Sequence, residues 1–457
     1  MSPVRSGLPG LAGQLKERLI QEALSRRARA AERDLAAESA PLAKPDTDRI
    51  ASDRPIPDAW CRFDQHPGYQ QLRLIRDGAE KLGIRNPFFR AHQGVAGAST
   101  VIDGCSFVNF SSYNYLGLSG HPLVNAAAKE AIERYGTSAS ASRLVAGERP
   151  IHRQLEAALA SIYGVDDCVV FVSGHATNVS TIGHLFGPKD LIVHDALIHN
   201  SALQGIQLSG AHRLSFAHND WGALDALLSA QRRQHERVLI VLEGIFSMDG
   251  DYPDLPRFVE IKRRHRALLM VDEAHSLGVM GAAGLGIREH FGVAGGDVDI
   301  WMGTLSKALA SCGGFIAGER ALVDHLKCAA PGFVYSVGMA PPVAAAALAA
   351  LELMRREPER TRRLQQRGAL FLQTARSLGV DTGSSAGLSV IPAIAGSSIK
   401  AARLSDALYE RGINVQPILY PAVPERSARL RFFVSCDHTE EQIASSVEVL
   451  AQELARL

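Results

Sequence analysis

The stretch Trp301-Met302-Gly303-Thr304-Leu305-Ser306-Lys307-Ala308-Leu309, followed by Gly313-Gly314-Phe315-Ile316-Ala317-Gly318, decides how this chain is read. An apolar run delivers Lys307 among small and hydroxyl-bearing residues, and a Gly-Gly strand follows. A lysine so placed suits an amine that forms a Schiff base with an aldehyde. Thr304 and Ser306 can hold a phosphate beside it. A solvated lysine on a turn would show the same local pattern, so the reading depends on what lies upstream.

Upstream stands Ala267-Leu268-Leu269-Met270-Val271-Asp272-Glu273-Ala274-His275, a strand-like apolar run that ends in an acid with a histidine three residues on. Asp272 suits pairing with a pyridine nitrogen. A carboxylate that keeps that nitrogen protonated makes a pyridoxal ring an electron sink. An aspartate at a strand end can also do no more than cap a helix. An Asp/His metal pair is a further alternative, but no third ligand sits at helpful spacing, and no metal is expected.

The 457 residues are 46% hydrophobic and 21% charged, with a formal net charge of +1. Such a chain has ample material for one large domain and a smaller one, and lacks the basic excess that draws nucleic acid. Six cysteines, Cys61, Cys105, Cys168, Cys312, Cys328 and Cys436, are scattered without a C-x-x-C pair. That argues against a disulfide framework or a zinc site and for a cytoplasmic protein. No apolar run reaches the roughly 18 residues of a membrane span. The richest, 343 to 354, is short and ends at Arg355-Arg356.

Four segments are expected. Residues 1–60 form an N-terminal helical extension and linker: 11 to 37 reads as an amphipathic helix with Leu15, Leu19, Ile20 and Leu24 on one face, and 38 to 58 as a connector rich in Pro, Ala and Asp. Glu32, Asp34 and Glu38 offset the arginines at 26 to 29, so this helix reads as a solvated face. Residues 61–108 form an arm with short strands joined by the turn Asp103-Gly104. Residues 109–340 form the large domain, where apolar runs at 168–172, 191–193, 238–242, 267–271 and 315–317 are spaced by helical stretches such as 155–162 and 224–232. This predicts an α/β fold with a mostly parallel sheet. Ligands gather at the strand carboxyl ends of such sheets, where Ser173, His194, Glu243 and Asp272 should fall. Asn109 to Leu118 reads as a loop approaching a pocket, making Tyr113 and Asn114 candidates for contact with substrate. Beyond Pro341-Pro342, residues 341–457 read as a small α+β domain. Neither G-x-G-x-x-G nor a P-loop occurs, which argues against dinucleotides and nucleoside triphosphates.

The motifs Asn114-Tyr115-Leu116-Gly117, Glu243-Gly244-Ile245-Phe246-Ser247-Met248-Asp249-Gly250, Val271-Asp272-Glu273-Ala274-His275, Gly303-Thr304-Leu305-Ser306-Lys307 and Ala428-Arg429-Leu430-Arg431 resemble, in order from about Asn86 onward, the α-oxoamine synthases. The resemblance implies the aspartate-aminotransferase-like fold type I, a homodimer with active sites at the subunit interface, and pyridoxal 5'-phosphate as cofactor. By motif position Lys307 matches the Schiff-base lysine and Asp272 the partner of the pyridine nitrogen. His275 matches a residue that bonds the cofactor's phenolic oxygen, and His199 one that stacks on the ring. Ser247 matches a serine near the cofactor. The backbone N–H groups of Gly174 and His175, opening a helix, suit a phosphate, with the Thr304 hydroxyl beside them. Arg431 matches the arginine that receives the amino-acid carboxylate, a task its two-pronged fork fits. Arg429 would share a strand face with it, so spacing alone leaves the two as competitors.

Three features depart from the family pattern. His175 stands where an apolar or aromatic residue is common. Val337 and Gly338 lack the hydroxyl that often reaches the neighbouring subunit's phosphate, leaving Ser336 as the substitute. Ser112-Tyr113-Asn114-Tyr115 reads more like the serine palmitoyltransferases and polyketide-linked members than the aminolevulinate and aminooxononanoate synthases.

The reaction implied joins a small L-amino acid (glycine, alanine or serine) to an acyl thioester on coenzyme A or an acyl carrier protein, giving an α-aminoketone, carbon dioxide and free thiol. Freed by the incoming amino acid, the Lys307 amine would take the Cα proton. Surface arginines at 26, 27 and 29 would suit the approach of an acidic carrier. The alternatives are another pyridoxal-phosphate enzyme, such as an aminotransferase or aldolase-type lyase, or a non-catalytic partner subunit. Intact Lys307, Asp272, His199 and His275 speak against the last.

Overall fold

The computed structural model describes residues 56–457. The expected helix over 11 to 37, with its arginines, and the connector up to residue 55 lie outside the described residues. The chain divides into two units at Gly78. In the first, the described residues form two single 3-10 turns, Asp58–Trp60 and Phe63–Gln65, and the start of the helix Pro67–Lys81.

The second unit is organised on a seven-stranded sheet. Its strands are β1 (Asp167–Phe171), β2 (Leu191–Asp195), β3 (His212–Phe216), β4 (Val238–Glu243), β5 (Leu268–Asp272), β6 (Ile300–Thr304) and β7 (Gly314–Gly318), in the order β1-β7-β6-β5-β4-β2-β3. Every pairing is parallel except those of β7, which runs antiparallel to both β1 and β6. Strands β1, β2, β4 and β7 are buried along their whole length, because helices cover both faces, and this is why they read as unbroken apolar runs. The edge strand β3 is exposed at four of its five positions, and its sequence His-Arg-Leu-Ser-Phe carries no apolar run to betray it.

Alternation along each strand sorts the core into two layers. Val169, Ile192, Leu239 and Met270 face one side with Ile182, Ala202 and Ile206. Those three belong to the helices Gly174–Leu185 and Asn200–Ser209. Val170, Val193, Ile240, Val271 and Trp301 face the other side with Leu155, Leu159 and Phe258. Burying side chains of this size contributes roughly 1.5 to 3 kcal/mol each, so the two layers lock the register that brings the carboxyl ends of β1, β2, β4, β5 and β6 to one rim.

Around this sheet the rest of the second unit is assembled from pieces far apart in sequence. Asp103 (φ 50°) and Gly104 (φ 77°) both lie in the left-handed region, the geometry of a two-residue hairpin turn joining Ser99–Ile102 to Cys105–Asn109. The short strand Ile413–Asn414 adds to that hairpin in parallel. A third sheet joins Val390–Ile394, Arg429–Phe433 and Pro417–Ile418. The helix Pro341–Arg356 opens on its two prolines, where a missing N–H costs nothing, and packs on the helices Pro122–Tyr135 and Pro150–Tyr163. No helix among the described residues is long and apolar enough to cross a membrane.

Candidate active site

At the rim formed by the strand carboxyl ends lies a cavity of about 300 Å³. Each strand contributes through the residues just beyond its end: Ser173, Gly174 and His175 after β1, His199 after β2, Ser247 and Met248 after β4, Ala274 and His275 after β5, Ser306 and Lys307 after β6. Glu243, Asp272 and Thr304 are themselves the last residues of their strands. Arg431 and Tyr113 reach the wall from outside the sheet. Of the residues singled out in the sequence, Asn114 is not brought to the cavity. Its Oδ1 accepts from the Ser119 N–H at 3.0 Å and serves the turn.

Asp272 is held from two sides. Asn178 Nδ2 donates to Oδ2 at 2.9 Å and the Ala274 N–H to Oδ1 at 3.0 Å. Asn178 also donates to Ser201 Oγ at 2.9 Å, linking the acid to the helix that begins after His199. In register with Asp272 on the neighbouring strand stands Glu243, 3% exposed, with Oε2 accepting from the Ser247 N–H at 3.1 Å and Oε1 without a partner. Burial pushes the Glu243 carboxyl well above the usual range, and the charge of Asp272 adds to the push. The burial of Glu243 thus favours its protonated form.

His199 caps the helix Asn200–Ser209. Its Nδ1 accepts from the Ser201 N–H at 3.2 Å and lies 2.7 Å from Ser201 Oγ, so the ring proton sits on Nε2. Burial lowers its pKa while Asp272 pulls the other way. His275 places Nδ1 2.8 Å from the hydroxyl of the fully buried Tyr115. Burial, then the nearby Lys307 and Arg431, hold its ring well below the ordinary histidine value. Burial also brings the Lys307 amine down to about 8, against the opposing pull of Asp272 and Glu243. Its Nζ lies 5.4 Å from the ring centre of Tyr113, a half-exposed residue that meets Phe433 edge-on at 4.7 Å.

The helix Gly174–Leu185 points its N-terminus at the cavity, capped by Ser173. The amides of Gly174 and His175 open this helix, where N–H groups have no partner one turn back. A Cβ on Gly174 would come within 2.9 Å of Thr304 Oγ1, and one on Gly314 within 2.7 Å of Gly174 Cα. Glycine at both places lets β6 and β7 approach the helix end, leaving a shallow cradle of amides and hydroxyls.

The two rival arginines part company. Arg429 is buried and committed: it donates to Asp249 Oδ1 at 2.6 Å, to Met248 O at 3.1 Å and to Ser427 O at 2.8 Å. Arg431 lines the cavity with no carboxylate partner among the described residues. It donates to Ser247 O at 3.0 Å, rests 4.7 Å from the Phe433 ring centre, and leaves Nε unpartnered. Asn178, Ser201, Met248 and Ala274 were not singled out from sequence. The buried residues of the helix Gly174–Leu185 are Thr177, Asn178, Ser180, Thr181 and Ile182, so Asn178 does not stand out in its local pattern. Ser336 lies away from this cavity, at a turn where Tyr335 is 86% exposed.

Comparison with known proteins adds an independent line. Residues 106–450 match the family model "Aminotransferase class I and II". The 8-amino-7-oxononanoate synthase of Symbiobacterium thermophilum is 39% identical, over 82% of this chain and 95% of that protein. The synthase of the same name from Geobacter sulfurreducens is 41% identical, over 79% and 93%. Among solved structures, the serine palmitoyltransferase of Sphingomonas wittichii superposes with a TM-score of 0.81 at 29% identity, covering 85% of this chain and 97% of that one. A serine palmitoyltransferase holding pyridoxal phosphate gives the same TM-score at 28% identity, over 84% and 97%.

Proposed function

The chain belongs to the class I and II aminotransferase family, in its α-oxoamine synthase branch, and we propose that it joins a small L-amino acid (glycine, alanine or serine) to an acyl thioester with loss of carbon dioxide and free thiol. It is a pyridoxal-phosphate enzyme of fold type I and an acyltransferase. The observation that carries the reading is that Arg431, a cation without a carboxylate partner among the described residues, shares one cavity with Lys307 and Asp272. An amino acid needs such a receptor for its carboxylate while its Cα lies within reach of a base.

The residues fit pyridoxal phosphate. The Gly174 cradle that a Cβ would fill suits the phosphate, with the amides of Gly174 and His175 and the Thr304 hydroxyl as donors. Bound there, the cofactor supplies an aldehyde for amines and a ring that draws electrons from the carbon beside them. Asp272, steadied by Asn178 and Ala274, would hold the proton on the ring nitrogen. Burial pushes the neighbouring Glu243 toward its neutral form, which limits the negative charge beside Asp272. His199 would pack against the face of the ring. With Nδ1 of His275 engaged by Tyr115, its Nε2 is the atom left for the phenolic oxygen. Lys307 would hold the cofactor's aldehyde, and its amine would take the Cα proton of the bound amino acid. An amine brought to about 8 is neutral often enough for this at ordinary pH. Arg431 fixes the carboxylate, and Ser247 and Tyr113 flank the substrate. The Cα–acyl carbon bond forms as the thiol leaves, and the carboxylate carbon departs as carbon dioxide.

Coenzyme A or an acyl carrier protein delivers the acyl group, and the enzyme acts as a homodimer. Support for a second copy comes from exposed apolar side chains on two joined segments, Leu144 and Val145 beside Tyr335 and Val337. Ser142 Oγ donates to Val334 O at 2.6 Å, and the Gly338 N–H to Ala141 O at 2.9 Å, so the segments form one surface. To test the reaction, purified protein loaded with cofactor is given each amino acid in turn and then a panel of acyl thioesters. The expected result is an absorbance change with one amino acid and thiol release only when that amino acid is present. Thiol release indifferent to the amino acid would refute it.

A further inference from the structure

His218 follows the edge strand β3 and does not line the cavity, yet it joins two of the loops that build it. Its Nδ1 lies 2.9 Å from Asp195 Oδ1 and its Nε2 2.9 Å from Asp251 Oδ2. A neutral imidazole has one N–H and can serve only one of these carboxylates. Two such contacts call for the doubly protonated ring. The ring also meets Phe246 edge-on, with centres 4.4 Å apart at 88°.

The two acids belong to different walls of the site. Asp195, fully buried, ends β2 and shapes the turn that delivers His199: Oδ1 accepts from the Leu197 N–H at 2.8 Å and Oδ2 from the Asn219 N–H at 2.7 Å. Asp251 closes the loop after β4. Its carbonyl accepts from the Phe246 N–H at 2.9 Å, and Oδ2 also takes the Ser384 hydroxyl at 2.9 Å. That loop carries the Ser247 carbonyl and Met248 sulfur against which Arg431 rests at 3.0 and 3.3 Å.

We propose that His218 is a positioning residue for the amino-acid pocket: bridging Asp195 and Asp251, it fixes the loop that orients Arg431 relative to the turn that carries His199. Burial works against a charge on this ring, but the two carboxylates prevail and its pKa is pushed up to about 10. The bridge is therefore intact throughout the neutral range. The inference rests on the reading of Arg431 as the carboxylate receptor.

The test uses cofactor-loaded enzyme and two variants, His218→Gln and Asp251→Asn, the second keeping an acceptor at that end of the bridge while removing its charge. Glycine, L-alanine and L-serine are titrated separately against the cofactor absorbance, and the KM for the thioester is measured alongside cofactor content and thermal stability. The expected result is an amino-acid dissociation constant raised tenfold or more in His218→Gln and at least threefold in Asp251→Asn, with cofactor content and thioester KM near those of the parent. If His218→Gln fails to fold, Asp251→Asn alone decides. An unchanged amino-acid dissociation constant in a folded variant would overturn the inference. So would a loss shared equally by amino acid, thioester and cofactor, which marks a merely structural role. If the parent enzyme itself responds to none of the amino acids, the functional reading falls first, before any variant is compared.

Discussion

Replacing Arg429 and Arg431 one at a time should separate stability from binding, although alternate residues of one strand share a face. The Arg429 side chain is 7% exposed and bonds Asp249, itself 17% exposed, at 2.6 Å. Arg429→Ala would strand that carboxylate, a loss of about 3 to 5 kcal/mol in unfolding free energy for a pair this buried. Arg431 gives up only its bonds to Ser247 O and the Met248 sulfur, and its Nε has no partner to lose. Arg431→Ala should therefore cost about 1 kcal/mol of stability. Its effect on the substrate is the larger one. Leaving a desolvated carboxylate without its cation costs about 2 to 5 kcal/mol, which at about 1.4 kcal/mol per tenfold is roughly a 30-fold to several-thousand-fold weaker amino-acid affinity. Urea unfolding measures the first quantity, and titration of the cofactor absorbance with amino acid the second. Arg431→Ala unfolding early while binding normally, or Arg429→Ala folding normally while binding poorly, would refute the assignment.

Four other outcomes are expected. Lys307→Ala should retain cofactor through the phosphate cradle and His199 but yield no borohydride-stable adduct. A covalent adduct on another lysine, found by peptide mapping, would show that the wrong amine was chosen. Asp272→Asn should fold and lose most activity, whereas Glu243→Gln should be mild, because a neutral amide replaces an acid that burial pushes toward its neutral form. Equal losses in the two variants would mean that Glu243 carries charge. Covalent capture of pyridoxal phosphate by apoenzyme needs the neutral Lys307 amine, so its rate should climb with pH and level off above about 8. Levelling only near the ordinary lysine value of 10.5 would contradict the buried setting of the amine. If an acyl carrier protein is the donor, kcat/KM should fall as salt rises, and charge reversal at Arg26, Arg27 and Arg29 should reproduce the fall. Turnover of coenzyme A and carrier thioesters that is equal and indifferent to the reversal would remove the carrier.

Much of the site was legible because the fold writes it at strand ends. Asp272 closes one apolar run and Lys307 follows another by three residues, and such buried runs stand out in any sequence. The Gly174 and His175 amides followed from the helix-start pattern, and Thr304 from its place beside Lys307. The choice between Arg429 and Arg431 could not be read from spacing, since it depends on Asp249, 180 residues away and brought in by the loop after β4. Asn178 and Ser201 were hidden for the same reason: they act through Asp272 across the interior, 94 residues from Asn178. The strand β3 escaped because an edge strand needs no apolar run. The pairing of Ile413–Asn414 with Cys105–Asn109 leaves no local trace at all. Asn114 was drawn toward the site by its neighbours in the motif, whereas the fold spends its side chain on the Ser119 turn.

The central claim is a condensation that discards the amino acid's carboxyl carbon while a thioester is consumed. The most direct measurement supplies the preferred amino acid labelled at its carboxyl carbon together with an acyl thioester, and follows labelled carbon dioxide and free thiol in the same vessel. The account requires the two to appear in equal amounts, each dependent on the other substrate and both abolished in Lys307→Ala. Thiol released without labelled carbon dioxide, or conversion of the amino acid to its 2-oxo acid without thioester, would contradict it.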